Sequence, residues 1–398
     1  MPITIERIPG QEEKVILSMG PQHPATHGVL RLVLELEGET VVRALYDIGY
    51  LHTGFEKSFE RLTYAQDITL TDRMDYLAPL SNNLGFCLAV EKLLDLEIPP
   101  RAQWIRVLLT ELTRLNSHLI WLGSHAIDLG AMSVFLYCFR EREELLHIFE
   151  NVSGQRMMTS YFRIGGLALD PPLNWLKPVE KFVKRLPNHL REYEDLLTRN
   201  PIWLRRTVGI AKIAADDAIA WGLSGPSLRA SGVKWDLRKN QPYSSYDKFE
   251  FDIPTRPEGD VYARYLVRLA EMRESLKIVR QAMEGLPEGP TKAKAPHIVL
   301  PDREEMKTSI EGLIYHFKIV TEGFHPPIGE VYQAIESPRG ELGFYVVSDG
   351  SPRPFRCHVR APSFANLQAL PKMIEGHLIA DVVACIASLD PILGEVDR

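Results

Sequence analysis

Two histidines in a short loop are the first residues of this chain that could carry chemistry. His23 and His27 lie four residues apart in the segment 20–28, with Pro24 between them. A zinc site needs a third and usually a fourth ligand, and none stands out in the sequence. A histidine with a pKa of about 6.5 can instead exchange a proton near neutral pH, or its role can be only to hold the loop.

A tyrosine and an aspartate are further candidates, each with an ordinary structural explanation. Tyr76 follows a polar segment, where an aromatic residue at the edge of a core accounts for the pattern. Asp128 falls at the end of a long predicted helix, where it could cap a turn. Tyrosine has a pKa of about 10, so at neutral pH its hydroxyl is protonated and can donate a hydrogen bond.

The cysteines favour neither a disulfide framework nor a cluster-binding motif. All four are far apart and lie in apolar runs: Cys87, Cys138, Cys357 and Cys385. An iron–sulfur cluster requires thiolates at characteristic spacings. We therefore expect small core residues at these positions, and no metal or iron–sulfur cluster bound by this chain.

The composition is that of a globular protein that does not bind nucleic acid. Apolar residues make up 45% of the 398 residues and aromatic residues 9%, and the net charge is −6. Nucleic-acid-binding domains usually carry a basic face. The cluster Arg205-Arg206 is short enough to be solvated or paired across an interface.

Neither a secretory signal nor a membrane span is visible. The first residues lack a basic region followed by an apolar run, so we expect the chain to stay in a reducing compartment. The apolar segment 378–389 contains Asp381 and is shorter than the roughly 20 residues that cross a bilayer. Membrane association must then come through partners.

The apolar pattern predicts an α+β fold that is mainly helical. Residues 29–37 alternate with a period of two, and Gly38-Glu39 turns the chain into a second strand at 41–45. Helical periodicity then dominates in the segments 84–96, 104–128, 132–151, 178–199, 260–284 and 304–320. The segment 222–257 has weak periodicity, and we expect an irregular excursion there that packs on something outside the bundle.

Beyond Gly329 the pattern predicts strands at 331–335, 342–347 and 355–359. A closing helical region, 363–388, is interrupted by Pro371. We divide the chain into a β-rich region with the histidine loop at 1–70, a helical bundle at 71–300, and an α+β region at 301–398 that packs against the first.

The last residues resemble a metal motif whose ligands have been replaced. Asp390 to Arg398 resembles the terminal Asp-Pro-Cys-x-x-Cys of nickel–iron hydrogenase large subunits, with Ile392 and Glu395 in place of the cysteines. The segment 72–77 occupies the place of the other cysteine pair. Nickel and iron need soft thiolate ligands here, so hydrogenase chemistry is excluded.

Two further segments, 49–57 and 336–341, also resemble hydrogenase large subunits. The combination is similar to the 49-kDa subunit family of respiratory complex I, in which a quinone site occupies the former metal cavity. The resemblance implies a hydrogenase large-subunit-like helical bundle between an N-terminal β-sheet region and a C-terminal strand-plus-helix region. It also implies a subunit of proton-pumping NADH:quinone oxidoreductase.

The resemblance assigns the quinone headgroup to His27 and Tyr76, one for each carbonyl oxygen. It assigns Asp128 to a hydrogen bond with His27, which would favour the imidazolium. Arg339 and Glu341 fall in a turn that lines the former metal cavity.

Three other features follow from the same resemblance. Asp397 and Arg398 look structural and would anchor the terminus. Thr53 and Met158 depart from the family, because many members have arginine and histidine there, facing the partner's terminal cluster. Their absence puts a strongly pH-dependent cluster potential in doubt.

The implied partners are a small iron–sulfur subunit carrying the terminal cluster, other peripheral-arm subunits, and a membrane-arm subunit at the quinone entrance. The implied location is peripheral, on the cytoplasmic face of the inner membrane. The alternative is a non-catalytic, hydrogenase-derived scaffold that links a redox arm to a membrane arm. Retention of His27, Tyr76 and Asp128 argues against it. No glycine-rich phosphate loop follows a strand, so no nucleotide site is expected.

Overall fold

A four-stranded antiparallel sheet begins the chain. The computed structural model describes residues 3–7 and 14–398. The strands, in their spatial order, are β1 (Ile3–Arg7), β2 (Lys14–Met19), β3 (Arg31–Glu37) and β4 (Thr40–Asp47). Leu32, Leu34 and Leu36 of β3 are buried and alternate with less buried residues, as a strand with one covered face requires. The predicted hairpin of β3 and β4 is therefore confirmed.

One long helix organises the centre of the molecule. The helices of this part are α1 (Phe55–Phe59), α2 (Tyr64–Met74), α3 (Pro79–Leu93), α4 (Pro100–Asp128) and α5 (Met132–Ser153). The predicted apolar residues of α4, among them Leu108, Leu112 and Leu119, are fully buried. Its neighbours include α3 and α5, so the apolar face is covered by other helices.

The second half of the bundle mixes short and long helices. A small hairpin of β5 (Phe162–Arg163) and β6 (Gly166–Leu167) precedes it. The helices are α6 (Leu176–Leu197), α7 (Pro201–Thr207), α8 (Ala215–Ala220), α9 (Gly225–Arg229), α10 (Leu237–Asn240) and α11 (Val261–Glu284). Asp260 caps α11 as predicted, with its side chain accepting a hydrogen bond from the amide of Ala263.

The segment 222–257 does not pack as expected. Arg229, Asp236, Arg238 and Tyr246 from this segment are fully buried and reach into the molecule's own interior. The weak periodicity arises because these side chains make polar contacts in the core. The segment is irregular as predicted, but these four side chains pack within the molecule and not on something outside the bundle.

The last hundred residues form a three-stranded antiparallel sheet and six helices. The strands are β7 (Gly329–Ser337), β8 (Gly340–Ser348) and β9 (Arg356–Arg360), as predicted within a few residues. The helices are α12 (Arg303–Thr308), α13 (Ile310–Thr321), α14 (Pro362–Leu367), α15 (Leu370–Ile374), α16 (Ile379–Leu389) and α17 (Leu393–Asp397).

Two helix boundaries differ from expectation. The single helix predicted at 304–320 is broken at Ser309, whose hydroxyl caps α13 by accepting from the amide of Gly312 over 3.1 Å. Pro371 stands in the first turn of α15 rather than interrupting a helix, because the missing amide proton costs nothing there.

The molecule has two main apolar cores. The larger joins the helical bundle to the β7–β9 sheet, and the smaller lies between the N-terminal sheet and the helices α15 to α17. Backbone hydrogen bonds tie Val41 to His377 across the smaller core, with the amide of Val41 2.9 Å from the carbonyl oxygen of His377. The α+β, mainly helical fold class is confirmed.

Candidate functional site

The histidine loop is a short turn that holds itself together. Residues Pro24–Thr26 form a single 3-10 turn, and Nδ1 of His23 accepts a hydrogen bond from the amide of Ala25 over 3.2 Å. The Thr26 hydroxyl donates to the carbonyl oxygen of His23 over 2.8 Å. His27 then takes the left-handed conformation, with φ of 51°. His23 thus has the structural role considered for it, because it holds its own loop together.

His27 is enclosed and carries an unpaired nitrogen. Its side chain is 12% exposed, and among the described residues Nε2 has no hydrogen-bond partner. Burial, helped by the nearby Arg339 guanidinium, lowers the pKa of His27 to about 4. The imidazole is therefore neutral at pH 7, and the expectation that its surroundings favour the imidazolium was wrong.

Asp128 meets His27 from the end of α4. Its Oδ2 lies 3.7 Å from Nε2 of His27, which is a close approach but too long for a hydrogen bond. Burial raises the pKa of Asp128 to about 6. The structure thus brings these two predicted residues together, without the hydrogen bond that the resemblance implied.

Tyr76 lies in the tight connection between α2 and α3. The carboxylate of Asp75 shapes that connection, because Oδ1 accepts from the amides of Leu77 and Ala78 over 3.1 and 3.2 Å. Burial, and then the adjacent Asp75, raise the pKa of the half-buried Tyr76 phenol. Tyr76 consequently remains a hydrogen-bond donor throughout the neutral range.

Arg339 lies at the tip of the β7–β8 hairpin, which is pressed against α9. Gly340 cannot be replaced by a residue with a side chain, because a Cβ atom there would lie 2.3 Å from Oγ of Ser224. The fully buried guanidinium donates to Oδ2 of Asp75 and to Oγ of Ser117, each over 2.8 Å. It also lies 3.2 Å from Oδ2 of Asp390. Arg339 therefore joins the hairpin to three other parts of the chain.

The charge of Arg339 reaches both predicted headgroup residues. It depresses the pKa of His27, and it opposes the rise in the pKa of Tyr76. Within residues 3–7 and 14–398, no hydrogen bond joins His27 to Tyr76 directly. The two side chains are separate groups that lie in the field of one buried cation.

A family of known proteins matches this chain over most of its length. The family described as "Respiratory-chain NADH dehydrogenase, 49 Kd subunit" matches residues 128–398. A D-type subunit of NADH-quinone oxidoreductase from Solibacter usitatus is 67% identical over 385 residues, covering 97% of this chain and 94% of the relative. The chain belongs to the 49-kDa subunit family.

Other members of the 49-kDa subunit family are similar over equally long stretches. A second D-type relative, from Koribacter versatilis, is 65% identical over 389 residues, 98% of this chain and 97% of its own. The corresponding NADH-quinone oxidoreductase protein of Geobacter sulfurreducens is 55% identical over 386 residues, 97% and 99% of the two chains. The family resemblance seen in the motifs is confirmed.

The terminal motif of this 49-kDa family member is fully enclosed. Ile392 and Glu395, which the resemblance placed at the positions of the hydrogenase cysteines, are both buried. Asp397 accepts hydrogen bonds from the amides of Gly49 and Leu51 over 2.8 and 2.6 Å. Arg398 donates to the carbonyl oxygen of Val359 over 2.9 Å. The prediction that the last two residues anchor the terminus is confirmed.

The two residues that were expected to depart from the family lie at or near the surface. Thr53 is exposed and Met158 is half-buried. The loop of Met158 is tied to α2, because the amide of Ser160 donates to Oδ2 of Asp72 over 3.0 Å. Asp72, in the motif that replaces a cysteine pair, thus holds a loop in place.

Glu341 differs from Arg339 although both belong to the same hairpin. Its carboxylate accepts from the hydroxyl of Tyr332 over 2.9 Å near the surface.

The four cysteines are all buried and form no disulfide, as predicted for core residues. No helix of the described part of the chain is long and apolar enough to cross a bilayer.

The buried charges of the bundle were missed from the sequence. Glu111 of α4 is fully buried and accepts from the hydroxyls of Tyr246 and Ser275 over 2.7 and 2.6 Å. Arg229 bridges Glu271 and Glu336, at 2.7 Å from each. One signal in the sequence could have indicated them. Charged residues of α4 and α11 occur at positions that are buried when a helix is covered on all sides.

Proposed function

We propose that this chain, with a small iron–sulfur partner subunit, forms the site at which proton-pumping NADH:quinone oxidoreductase binds and reduces quinone. The observation that supports this most strongly is the pair of enclosed hydrogen-bonding groups, His27 and Tyr76, that share the field of Arg339. His27 has a buried nitrogen without a partner among the described residues, and an unpaired buried polar atom is costly. A ligand carbonyl oxygen would satisfy it.

The protonation states of the two groups suit a quinone. A neutral imidazole can donate one N–H to a carbonyl oxygen, and a protonated phenol can donate its O–H to the other. Two-electron reduction to the quinol requires one proton at each oxygen, so the phenol can serve both binding and proton delivery, whereas the neutral imidazole serves binding and solvent supplies the proton at its end. Asp128, 3.7 Å from the ring of His27, is placed to orient that ring.

The electrons come from the partner subunit in this proposal. The chain's cysteines are dispersed and buried, so we assign the terminal iron–sulfur cluster to the small partner and no cluster or metal to this chain. We assign the partner's cluster to the surface near Thr53 and Met158.

The chain's place in the complex follows from the same assignment. We propose a peripheral position on the cytoplasmic face of the inner membrane, with other peripheral-arm subunits around it and a membrane-arm subunit at the quinone entrance. The relatives are named as subunits of NADH-quinone oxidoreductase, which implies a multisubunit assembly for them. The exposed apolar residues of α13, Ile310, Leu313 and Phe317, provide surface for such contacts.

Quinone-analogue binding to the assembled complex tests this function against a scaffold role. Tight binding that weakens at least tenfold in Tyr76→Phe or His27→Ala supports the site, because each change removes one hydrogen bond to the headgroup. An assembled complex whose affinity for the analogue is the same in both variants contradicts it.

A further inference from the structure

Three buried carboxyl groups and two guanidinium groups lie together behind Tyr76. Arg339 pairs with Asp75 over 2.8 Å and with Asp390 over 3.2 Å. The charge of Arg268, whose Nη1 donates to the carbonyl oxygen of Ser388 over 2.8 Å, also acts on Asp390. Glu395 is the third carboxyl group. With every carboxyl group ionised the set carries one excess negative charge, so one bound proton makes it neutral.

Glu395 is the carboxyl group of this set that forms no ion pair with the described residues. Its Oε1 accepts from the amide of Ser363 over 2.7 Å, whereas its Oε2 has no partner among the described residues. The side chain is fully buried. Burial, and then Asp75, raise the pKa of Glu395 to about 7 against the opposing effect of Arg339. Burial also raises the pKa values of Asp75 and Asp390, but both are paired with Arg339, so we assign the bound proton of the set to Glu395.

The groups around Glu395 come from several parts of the chain. The connection after α2 supplies Asp75 and Tyr76, the β7–β8 hairpin supplies Arg339, and Asp390 precedes α17 itself. From α14 comes Ser363, and that helix carries no titratable side chain.

The backbone beside Glu395 lies directly against the Tyr76 segment. A Cβ atom on Gly394 would lie 2.8 Å from the carbonyl oxygen of Met74 and 3.6 Å from Cε1 of Tyr76. Only glycine permits this approach. The backbone at the start of α17 therefore packs against the ring of Tyr76.

We propose that Glu395 stores the proton that restores Tyr76 after each quinone reduction. This rests on the proposed function. Quinone takes two electrons from the partner's cluster and two protons, one from the Tyr76 O–H and the other from bulk water at the opposite carbonyl oxygen. The O–H bond of Glu395 then breaks, its proton moves to the Tyr76 phenolate, and the resulting carboxylate takes a proton from solvent before the next turnover.

The direction of this proton transfer follows from the relative acidity of the Glu395 carboxyl group and the Tyr76 phenol. Burial and Asp75 disfavour a phenolate at Tyr76, so that the pKa of the phenol exceeds its usual value. A phenolate therefore takes a proton readily from a carboxyl group that titrates near neutral pH. Glu395 touches neither the quinone nor its oxygen atoms, and it acts only through Tyr76.

The test is the pH profile of quinone reductase turnover in assembled complexes carrying Glu395→Gln. Glutamine keeps the size and the acceptor for the Ser363 amide but has no proton to give. We expect turnover of the unmodified complex to decline above pH 7, and turnover of Glu395→Gln to be at least tenfold lower at pH 6.5 and to lack that decline. Glu395→Asp should restore part of the rate, and Glu375→Gln, at an exposed position, should match the unmodified complex.

The outcomes separate this inference from the proposed function. Unchanged turnover and an unchanged pH profile in Glu395→Gln, with low turnover in Tyr76→Phe, overturn the proton store alone. Where Glu395→Gln fails to assemble, infrared difference spectra of the unmodified complex with ¹³C-labelled glutamate decide. A labelled protonated carboxyl band that changes on quinone reduction supports the store, and the absence of such a band overturns it.

Discussion

The guanidinium of Arg339 lies 2.8 Å from the carboxylate of Asp75, the residue that precedes Tyr76. The same guanidinium lowers the pKa of His27. One buried cation therefore fixes the backbone that carries the phenol and helps to keep the imidazole neutral. A residue that the resemblance placed only in the lining of a cavity therefore acts through its charge on both predicted headgroup residues.

Replacing Arg339 by methionine should loosen the Tyr76 connection. The change leaves Asp75 and Asp390 without their partner in the interior, and breaking a buried ion pair from one side costs about 3–5 kcal/mol. Amide hydrogen exchange over residues 74–78 in the assembled complex measures the loss. Arg356→Met, which removes an exposed pair with Glu60, serves as the control and should leave exchange there unchanged. Equal protection in both variants would argue against a structural role for Arg339.

The neutral state of His27 predicts a stability that depends on pH. Its pKa is about 4 in the folded protein against about 6.5 when unfolded, so the unfolded chain binds the proton more tightly below neutral pH. Stability is complete above pH 6.5 and is lost as the pH falls towards 4. At pH 5 the loss amounts to about 2 kcal/mol.

Thermal unfolding of the assembled complex at pH 7.5 and pH 5 measures this loss. His27→Gln cannot take up the proton, so its melting temperature should fall less than that of the unmodified complex. Parallel falls in the two would show that His27 is not buried in its neutral form.

The alternating and helical patterns predicted most of the fold because they report the spacing of the covered apolar residues in each element. The hairpin of β3 and β4, the helix α4 and the three C-terminal strands all follow this rule. The break between α12 and α13 was missed because the apolar pattern runs on past Ser309, and only the capping hydroxyl ends the first helix. Short polar signals of this kind are weak against a long apolar run.

The candidate site was predicted by motif rather than by pattern, and the motifs could not give its electrostatics. Nothing in the sequence places Arg339 between Asp75 and Asp390, which are 264 and 51 residues away. The lowered pKa of His27 depends on that arrangement and on burial. Position in a motif predicts which residue is present, whereas its proton affinity depends on distant parts of the chain.

The departure at Met158 predicts a weak dependence of the neighbouring cluster's potential on pH. A thioether has no proton to exchange, whereas a histidine does. Met158→His should therefore steepen the dependence of the potential on pH between pH 6 and 8. Redox titration of the partner's cluster measures the slope, with Met157→His as a neighbouring control. The same slope in the unmodified complex and in Met158→His would remove Met158 from the surroundings of the cluster.

The central claim is that Tyr76 and His27 hold the two ends of one quinone headgroup. Tyr76→Phe keeps the ring and deletes one hydroxyl, at a cost of about 1–3 kcal/mol if a buried carbonyl oxygen is left unpaired. His27→Ala should impair the same step. Asp128→Asn should have a smaller effect, since Asp128 lies 3.7 Å from the ring and orients it without a hydrogen bond.

The most direct measurement is quinone reductase turnover beside reduction of the partner's last cluster by NADH, in assembled complexes with Tyr76→Phe or His27→Ala. We predict that turnover falls about tenfold or more in each variant while the cluster is reduced at its normal rate. Normal turnover in both variants would contradict the assignment of the quinone headgroup to these two residues.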